Sequence, residues 1–228
     1  MSYILSLETA TPVCSVALHH QGDLVALHEI LVDKSHATHL TRLAEETLSQ
    51  AKISRADLSA IAVSEGPGSY TGLRIGASTA KGLAFALEIP LIAIPTLEGM
   101  AAQVTNLQGP PIQLCPMLDA RRMEVYCQLL DANGKVIWDT QALVIETIDP
   151  FLPALEIGPV LFFGNGAAKC EEILGPHRNA YFLSDVYPSA KTIGQLASDR
   201  FNEEHFVDLA YWEPFYLKEF QPGKPKRR

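Results

Sequence analysis

The stretch YILSLETATPVCSVALHHQGDLVALHEIL, residues 3–31, decides how the chain folds. Tyr3 to Leu7 is a mostly apolar run of strand length, and it breaks into the polar turn Glu8-Thr9-Ala10-Thr11-Pro12. Val13 to His19 reads as the next strand. Gln21-Gly22-Asp23 has hairpin chemistry, and Leu24 to Leu31 returns beside it. The chain thus opens on three consecutive strands, with an acid at the end of the first. Beyond them, residues 33–50 have helical spacing: Leu40, Leu43, Thr47 and Leu48 form one stripe, and Ser35 is placed to cap it. Leu58 to Ser64 is a further buried strand. The turn Glu65-Gly66-Pro67-Gly68-Ser69 leads into a helix from Tyr70 to Leu87. Pro90 and Pro95 bracket the strand Leu91 to Ile94.

The second half repeats this grammar without repeating its residues. Ile112 to Leu118 runs into Asp119 as Leu7 runs into Glu8. Met123 to Leu130 is a strand, Asp131-Ala132-Asn133-Gly134 is a hairpin signal, and Lys135 to Ile145 returns. Acid and hairpin glycine are fourteen positions apart in the first half (Glu8, Gly22) and fifteen in the second (Asp119, Gly134). A helix near Ile148 to Leu155 and a strand Val160 to Phe163 follow. Gly164-Asn165-Gly166 then opens a helix to Leu174, and another helix spans Ser189 to Asn202. Two copies of three strands followed by alternating helix and strand imply two similar α/β lobes. With Gln103 to Pro111 as linker, the expected division is 1–103 and 104–228, the latter ending in a basic tail, 221–228, that frays.

The composition suits a globular body. Of 228 residues, 47% are hydrophobic and 19% charged, which excludes a wholly disordered or coiled-coil chain. The formal charge of −8 makes the body a poor nucleic-acid binder by itself, since phosphate contacts need Lys and Arg. Cys14, Cys115, Cys127 and Cys170 form no C-x-x-C pair and sit in apolar settings, as buried thiols do. The first residues lack a basic region and a long apolar run, so no signal peptide is expected, and no stretch is long enough to span a membrane. A soluble cytoplasmic protein is expected.

The segment Ser64 to Gly76 is not a P-loop, because no Gly-Lys-Ser/Thr closes it, and Gly66, Gly68 and Gly72 miss the G-x-G-x-x-G spacing. Gly72, Gly76, Ala80 and Ala84 recur every fourth residue and make one smooth helix face. A glycine inside a helix costs about 0.5–1 kcal/mol relative to alanine, so two of them need close approach of another backbone as compensation. That backbone belongs either to the chain itself or to a partner subunit. His36 and His39, three apart at a helix start, are a weak metal signal and read better as polar or interface residues. Glu8 and Asp119 each end the first strand of a lobe. There they either accept turn N–H groups or lie near a nucleotide.

Taken together, Ile4 to Thr11, Ser64 to Gly76, Ala80-Lys81-Gly82-Leu83-Ala84 and Met117-Leu118-Asp119-Ala120-Arg121 resemble the TsaB (YeaZ) family. These are bacterial subunits of the machinery that makes threonylcarbamoyladenosine in tRNA. The resemblance is strongest over residues 1–130 and continues more loosely to Phe215-Tyr216-Leu217. It implies an actin/Hsp70-like (ASKHA, ribonuclease H-like) two-lobe fold, each lobe a mixed β-sheet with flanking helices. It also implies kinship with the catalytic subunit TsaD, whose metal-site helix carries two histidines. Thr96 and Met100 stand at those places here, and neither hydroxyl nor thioether replaces imidazole well.

The resemblance therefore implies a platform without catalytic, metal-binding or cofactor residues, apart from weak nucleotide binding at a subunit interface. It would bind a TsaD-like paralogue, help recruit a TsaE-like ATPase and meet tRNA only through the complex. Its partner face is expected at His36, His39, Leu40, Leu43, Thr71, Gly72, Leu73, Gly76, Thr79 and Ala80, which would also serve a homodimer of the isolated chain. Two rivals stay open from sequence alone: an enzyme of the same fold, metallopeptidase or phosphotransferase, and a purely self-associating protein.

Overall fold

A computed structural model describes residues 2–32, 36–105 and 111–218. The first sheet is built from β1 (Tyr3–Glu8), β2 (Val13–His20), β3 (Asp23–Leu31), β4 (Leu58–Gly66) and β5 (Leu91–Pro95). Helix α1 (His36–Ala51) joins β3 to β4, and α2 (Tyr70–Leu87) joins β4 to β5. The order is β3-β2-β1-β4-β5, with β1 antiparallel to β2 and parallel to β4. The short helix α3 (Thr96–Ala101) follows β5.

The second half repeats the topology. Strands β6 (Gln113–Asp119), β7 (Glu124–Leu130) and β8 (Val136–Val144) are followed by α4 (Leu152–Ile157), β9 (Val160–Phe163), α5 (Glu171–Leu174) and β10 (Ala180–Leu183). The sheet order β8-β7-β6-β9-β10 matches that of the first sheet strand for strand. Helix α6 (Ala190–Asn202) closes the series. The two-lobe α/β expectation therefore holds, with each acid, Glu8 and Asp119, at the end of its lobe's central strand.

Strand periodicity sorts the residues between the faces. On β1 and β2, Leu5, Leu7, Cys14, Val16 and Leu18 face α1 and α2, packing with Leu40, Leu43, Ala80 and Ala84. Ile4, Ala60, Ala62, Ile92 and Ile94 face the other way and meet Ile193 and Ala197 of α6. In the second half, Cys115, Cys127, Phe151, Phe162 and Cys170 form the core under α4 and α5. The opposite face is covered by Leu97, Met100 and Ala101 of α3, packed with Leu114, Leu118 and Phe163.

The two sheets lie on either side of residue 103, but helix packing crosses it. Helix α3 comes from the first half yet packs on β6 and β7. Helix α6 comes from the second half and packs on β1, β2, β4 and β5. The last helix of each half thus completes the other half's sandwich, and the lobes interlock. After α6 the chain stays with the first sheet: Val207 N donates to Leu91 O at 3.0 Å and Phe215 N to Glu65 O at 2.7 Å. The expected helix up to Leu174 is shorter, beginning as a 3₁₀ turn at Ala168–Cys170. Strand β10 was not anticipated. The Ser35 cap and the tail 221–228 lie outside the described residues. All four cysteines are buried free thiols.

Helix α6 approaches the sheet closely because the surfaces are small. Ser6, Ser15 and Ala17 lie under it on β1 and β2, and all are fully buried. A Cβ at Gly194 would stand 2.1 Å from His19 Nδ1 and 2.7 Å from Ser6 Oγ. Gly194→Val is expected to destabilise the chain by about 3 kcal/mol or more, lowering Tm by roughly 6–12 °C. Gly82→Ala, in a helix with nothing within 4 Å of the new Cβ, should instead gain about 0.5–1 kcal/mol. Thermal melts of both variants check this pair; equal Tm values would contradict it.

Candidate functional site

The turn between β1 and β2 is the point at which the helices of the first lobe converge. Ser69, the N-cap of α2, accepts from Gly72 N through its side chain. Its own N–H donates to Ala10 O at 2.7 Å. Thr9 Oγ1 donates to Gly72 O at 2.8 Å. His36, at the start of α1, donates from Nε2 to Thr11 O at 2.8 Å, which fixes its neutral tautomer. Burial depresses the His36 pKa, and the Thr11 carbonyl offsets part of that.

The glycine face of α2 is seated on this same turn. An added Cβ would lie 2.0 Å from Thr9 O at Gly72 and 2.3 Å from Thr9 Oγ1 at Gly76. The compensating backbone is therefore the chain's own, and the assignment of Gly72 and Gly76 to a partner face is corrected. Leu40, Leu43, Leu73 and Ala80 are likewise buried within the chain, as is His36. Thr71 is exposed, and His39 and Thr79 are half-buried. The accessible surface of these helices carries other residues. Thr41 and Arg42 are exposed on α1. On α2, Arg74 lies over the Tyr70 ring, 5.5 Å from its centroid, and Phe85 is 76% exposed. Between the helices runs an apolar groove of about 190 Å³, floored by Leu48, Leu83 and Leu87. Phe85 was legible in the sequence, since an aromatic one place beyond Ala84 falls off the glycine face.

The two strand-end acids differ sharply. Glu8 is fully buried. Its Oε1 accepts from Ala10 N at 2.5 Å, while Oε2 has no hydrogen-bond partner, nor has the buried Ser64 Oγ. Burial pushes the Glu8 carboxyl up to about 7, against the weaker opposing pull of the turn's N–H groups, that of Ala10 first. Asp119 is exposed. It pairs with Lys169 and accepts from Arg121 N at 2.9 Å. Its carboxylate thus serves its own turn. Thr96 and Met100 are both fully buried. Thr96 Oγ1 accepts from Gly66 N at 3.1 Å, and Met100 packs in the core between α3 and the second sheet. Among the described residues, no three His, Cys, Asp or Glu side chains converge as metal ligands, and no helix is long and apolar enough to cross a membrane.

Two sheets of identical strand order, each with an acid at the end of its central strand, define the actin/Hsp70-like two-lobe class. At the level of fold, the activator of 2-hydroxyisocaproyl-CoA dehydratase from Clostridium difficile is similar, with TM-score 0.52 at 12% identity, covering 90% of this chain and 96% of that one. YeaZ from Pseudomonas aeruginosa is much nearer: TM-score 0.79 at 30% identity, covering 95% of this chain and all of the other. The family described as "TsaD: tRNA N6-adenosine threonylcarbamoyltransferase" matches residues 30–211. The tRNA threonylcarbamoyladenosine biosynthesis protein TsaB of Escherichia coli strain K12 is 31% identical over 222 residues, 94% of each chain. The chain belongs to the TsaB (YeaZ) family, within this wider threonylcarbamoyltransferase group.

The Glu8 environment gives a pH prediction. Its folded pKa lies above its unfolded value, so the native state holds the extra proton. The stability this confers is complete below about pH 4.5 and is lost as pH rises through about 7. Glu8→Gln stays neutral throughout. The variant should match wild type at pH 4.5 and exceed it at pH 9 by on the order of 3 kcal/mol. Urea unfolding at the two pH values measures this; parallel profiles would contradict it.

Proposed function

We propose that this chain is a non-catalytic platform in the synthesis of threonylcarbamoyladenosine in tRNA. It docks a TsaD-like catalytic paralogue through the exposed side of α1 and α2, and it helps recruit a TsaE-like ATPase. The observation that carries this reading is the β1–β2 turn. In a two-lobe phosphotransfer fold, the turn after the first strand meets a bound nucleotide. Here the carbonyls of Ala10 and Thr11 accept from Ser69 and His36, and Thr9 is covered by Gly72. A turn packed against its own helix leaves little room for a ligand, which supports weak or absent nucleotide binding by the isolated chain. The burial of Thr96 and Met100 supports the lack of a metal-ligand pair. In this reading tRNA is met only in the complex, in the cytoplasm, and the chain alone forms a homodimer by pairing the same helix face with itself.

Reconstitution with each subunit omitted in turn tests the role. Threonylcarbamoyl transfer should fall at least tenfold without this chain, and this chain alone should transfer nothing. Full activity in its absence would overturn the platform reading. Phe85→Asp tests the face. It should leave Tm within about 2 °C of wild type, because the side chain is exposed. It should weaken co-elution with the catalytic subunit at least tenfold, since an unpaired charge buried at an interface is costly. Wild-type co-elution would move the docking face elsewhere.

A further inference from the structure

Helix α6 covers one face of the first sheet, yet little apolar surface of its own holds it there. Its buried residues are Ala190, Thr192, Ile193, Gly194, Ala197 and Ser198, and Ile193 is the one large apolar side chain among them. On the opposite face, α1 and α2 bury Leu40, Leu43, Leu48 and Leu73. Burial stabilises in proportion to apolar area, so the two faces are held unequally. The polar ties of α6 sit at its ends. At the first turn, Ser189 Oγ donates to Glu29 Oε1 at 2.6 Å and Ala190 N to Ser15 Oγ at 2.9 Å. At the last turn, Arg200 donates to Ala93 O and to Glu98 Oε2, the latter at 2.9 Å. Glu29 is exposed and the Arg200–Glu98 pair is partly open to solvent, so these ties add little.

Beneath the helix the sheet is polar and incompletely paired. Strand alternation puts Ser6 and Glu8 of β1, Ser15 and His19 of β2 and Ser64 of β4 on the α6 side, and all five are buried. Seven buried side-chain atoms among the described residues have no hydrogen-bond partner, and four of them are here: Ser6 Oγ, Glu8 Oε2, His19 Nδ1 and Ser64 Oγ. A buried polar atom left unpaired keeps its whole desolvation penalty. Toward His19 Nδ1 and Ser6 Oγ the helix turns Gly194, where a Cβ would stand 2.1 Å and 2.7 Å away. Two of the four atoms belong to ionisable groups. Burial pushes His19 down to about 4, against the weaker opposing pull of the Lys191 backbone and the Asp23 carboxylate, while the Lys191 charge adds to the depression. Glu8 is raised by burial first, and to a small extent by Glu29. Cys14, beside Glu8, is raised to about 11 by burial and stays a neutral thiol. Ser6, Ser15 and Ser64 carry no charge. The surface under α6 thus accepts both ionisable groups in their neutral forms.

We propose that α6 is the releasable element of this fold, lifting from the first sheet as a unit and admitting water to the polar groups beneath it. Hydration then satisfies the four unpaired atoms. Lifting also uncovers Ile4, Ala62 and Ile92, which keeps the lifted state a minor population. Because α6 comes from the second half and covers the first, its release frees the lobes from one of their two exchanged contacts. The lifted state lets His19 and Glu8 take their charges. Neutral His19 favours the closed state above about pH 6.5, and that preference is lost as pH falls toward about 4. Protonated Glu8 favours it below about pH 4.5, and that preference is lost as pH rises through about 7. The two responses cover the same range with opposite sign. Together they hold the fastening of α6 nearly constant, and each shows itself when the other group is removed.

The test is hydrogen exchange of the full chain, read by mass spectrometry and corrected for intrinsic rates. Residues 190–202 should exchange together, about tenfold or more faster than residues 70–87 of α2. Wild-type protection over 190–202 should vary by less than about threefold between pH 5 and pH 8, because the two titrations offset each other. Glu8→Gln should unmask His19, with protection of α6 falling about twentyfold from pH 7 to pH 5. His19→Gln should unmask Glu8, with protection falling by about tenfold or more from pH 5 to pH 8. Should His19→Gln fail to fold, as circular dichroism would show, the wild-type comparison and Glu8→Gln decide the matter. Exchange over 190–202 as slow as in α2 would overturn the proposal. So would protection of α6 in Glu8→Gln that stays level between pH 7 and pH 5.

Discussion

The seat of Gly72 on Thr9 is the constraint on which the first lobe depends. A side chain at position 72 would overlap the Thr9 carbonyl at 2.0 Å, so the helix can start there only with glycine. The contact fixes the angle at which α2 leaves the sheet. It brings the Thr9 hydroxyl to the Gly72 carbonyl and the Ser69 N–H to Ala10 O. With α2 in place, α1 packs beside it and His36 reaches Thr11 O. One close approach therefore shapes both the covered turn and the outer surface of the two helices. In the proposed reading, a turn covered by its own helix and an outer helix surface that docks a partner are two results of the same packing.

The second organising feature is the exchange of α3 and α6. Each half leaves one face of its sheet bare and covers the other half's. The two lobes are stabilised through the same cores, so neither half has a complete sandwich alone. Polar residues on the α6 side mark this interface. Ser15 Oγ donates to Glu29 Oε1 at 2.8 Å and accepts from Ala190 N at 2.9 Å, while Ser189 Oγ donates to the same Glu29 oxygen. These bonds set the register of α6 where its small residues alone would let it slide.

Much of this was legible in the sequence because it is local. The alternation of Leu5 and Leu7 with Ile4 and Ser6, the hairpin at Gln21-Gly22-Asp23 and the repeat of acid and hairpin in the second half all lie within a few residues of one another. The destination of a helix does not. Nothing in Ala190–Asn202 says which sheet it covers, and its place beside Ser189 in the second half suggested the wrong one. The four-residue spacing of Gly72, Gly76 and Ala80 correctly announced a close backbone approach, but periodicity cannot say whose backbone approaches. Asp119 shows the same limit. Its place at a strand end was legible, whereas its pairing with Lys169, fifty positions away, depended on the fold.

Amide hydrogen exchange of this chain, free and after addition of the TsaD-like subunit, tests the central claim most directly. The account predicts slower exchange in α1 and α2 on assembly. Little change is predicted at residues 8–13, whose turn is already packed within the chain. Protection gained at the strand-end turns 8–13 and 119–124, with α1 and α2 unchanged, would contradict it. That result would mean that the partner, or a nucleotide it brings, enters a cleft that this account holds to be closed.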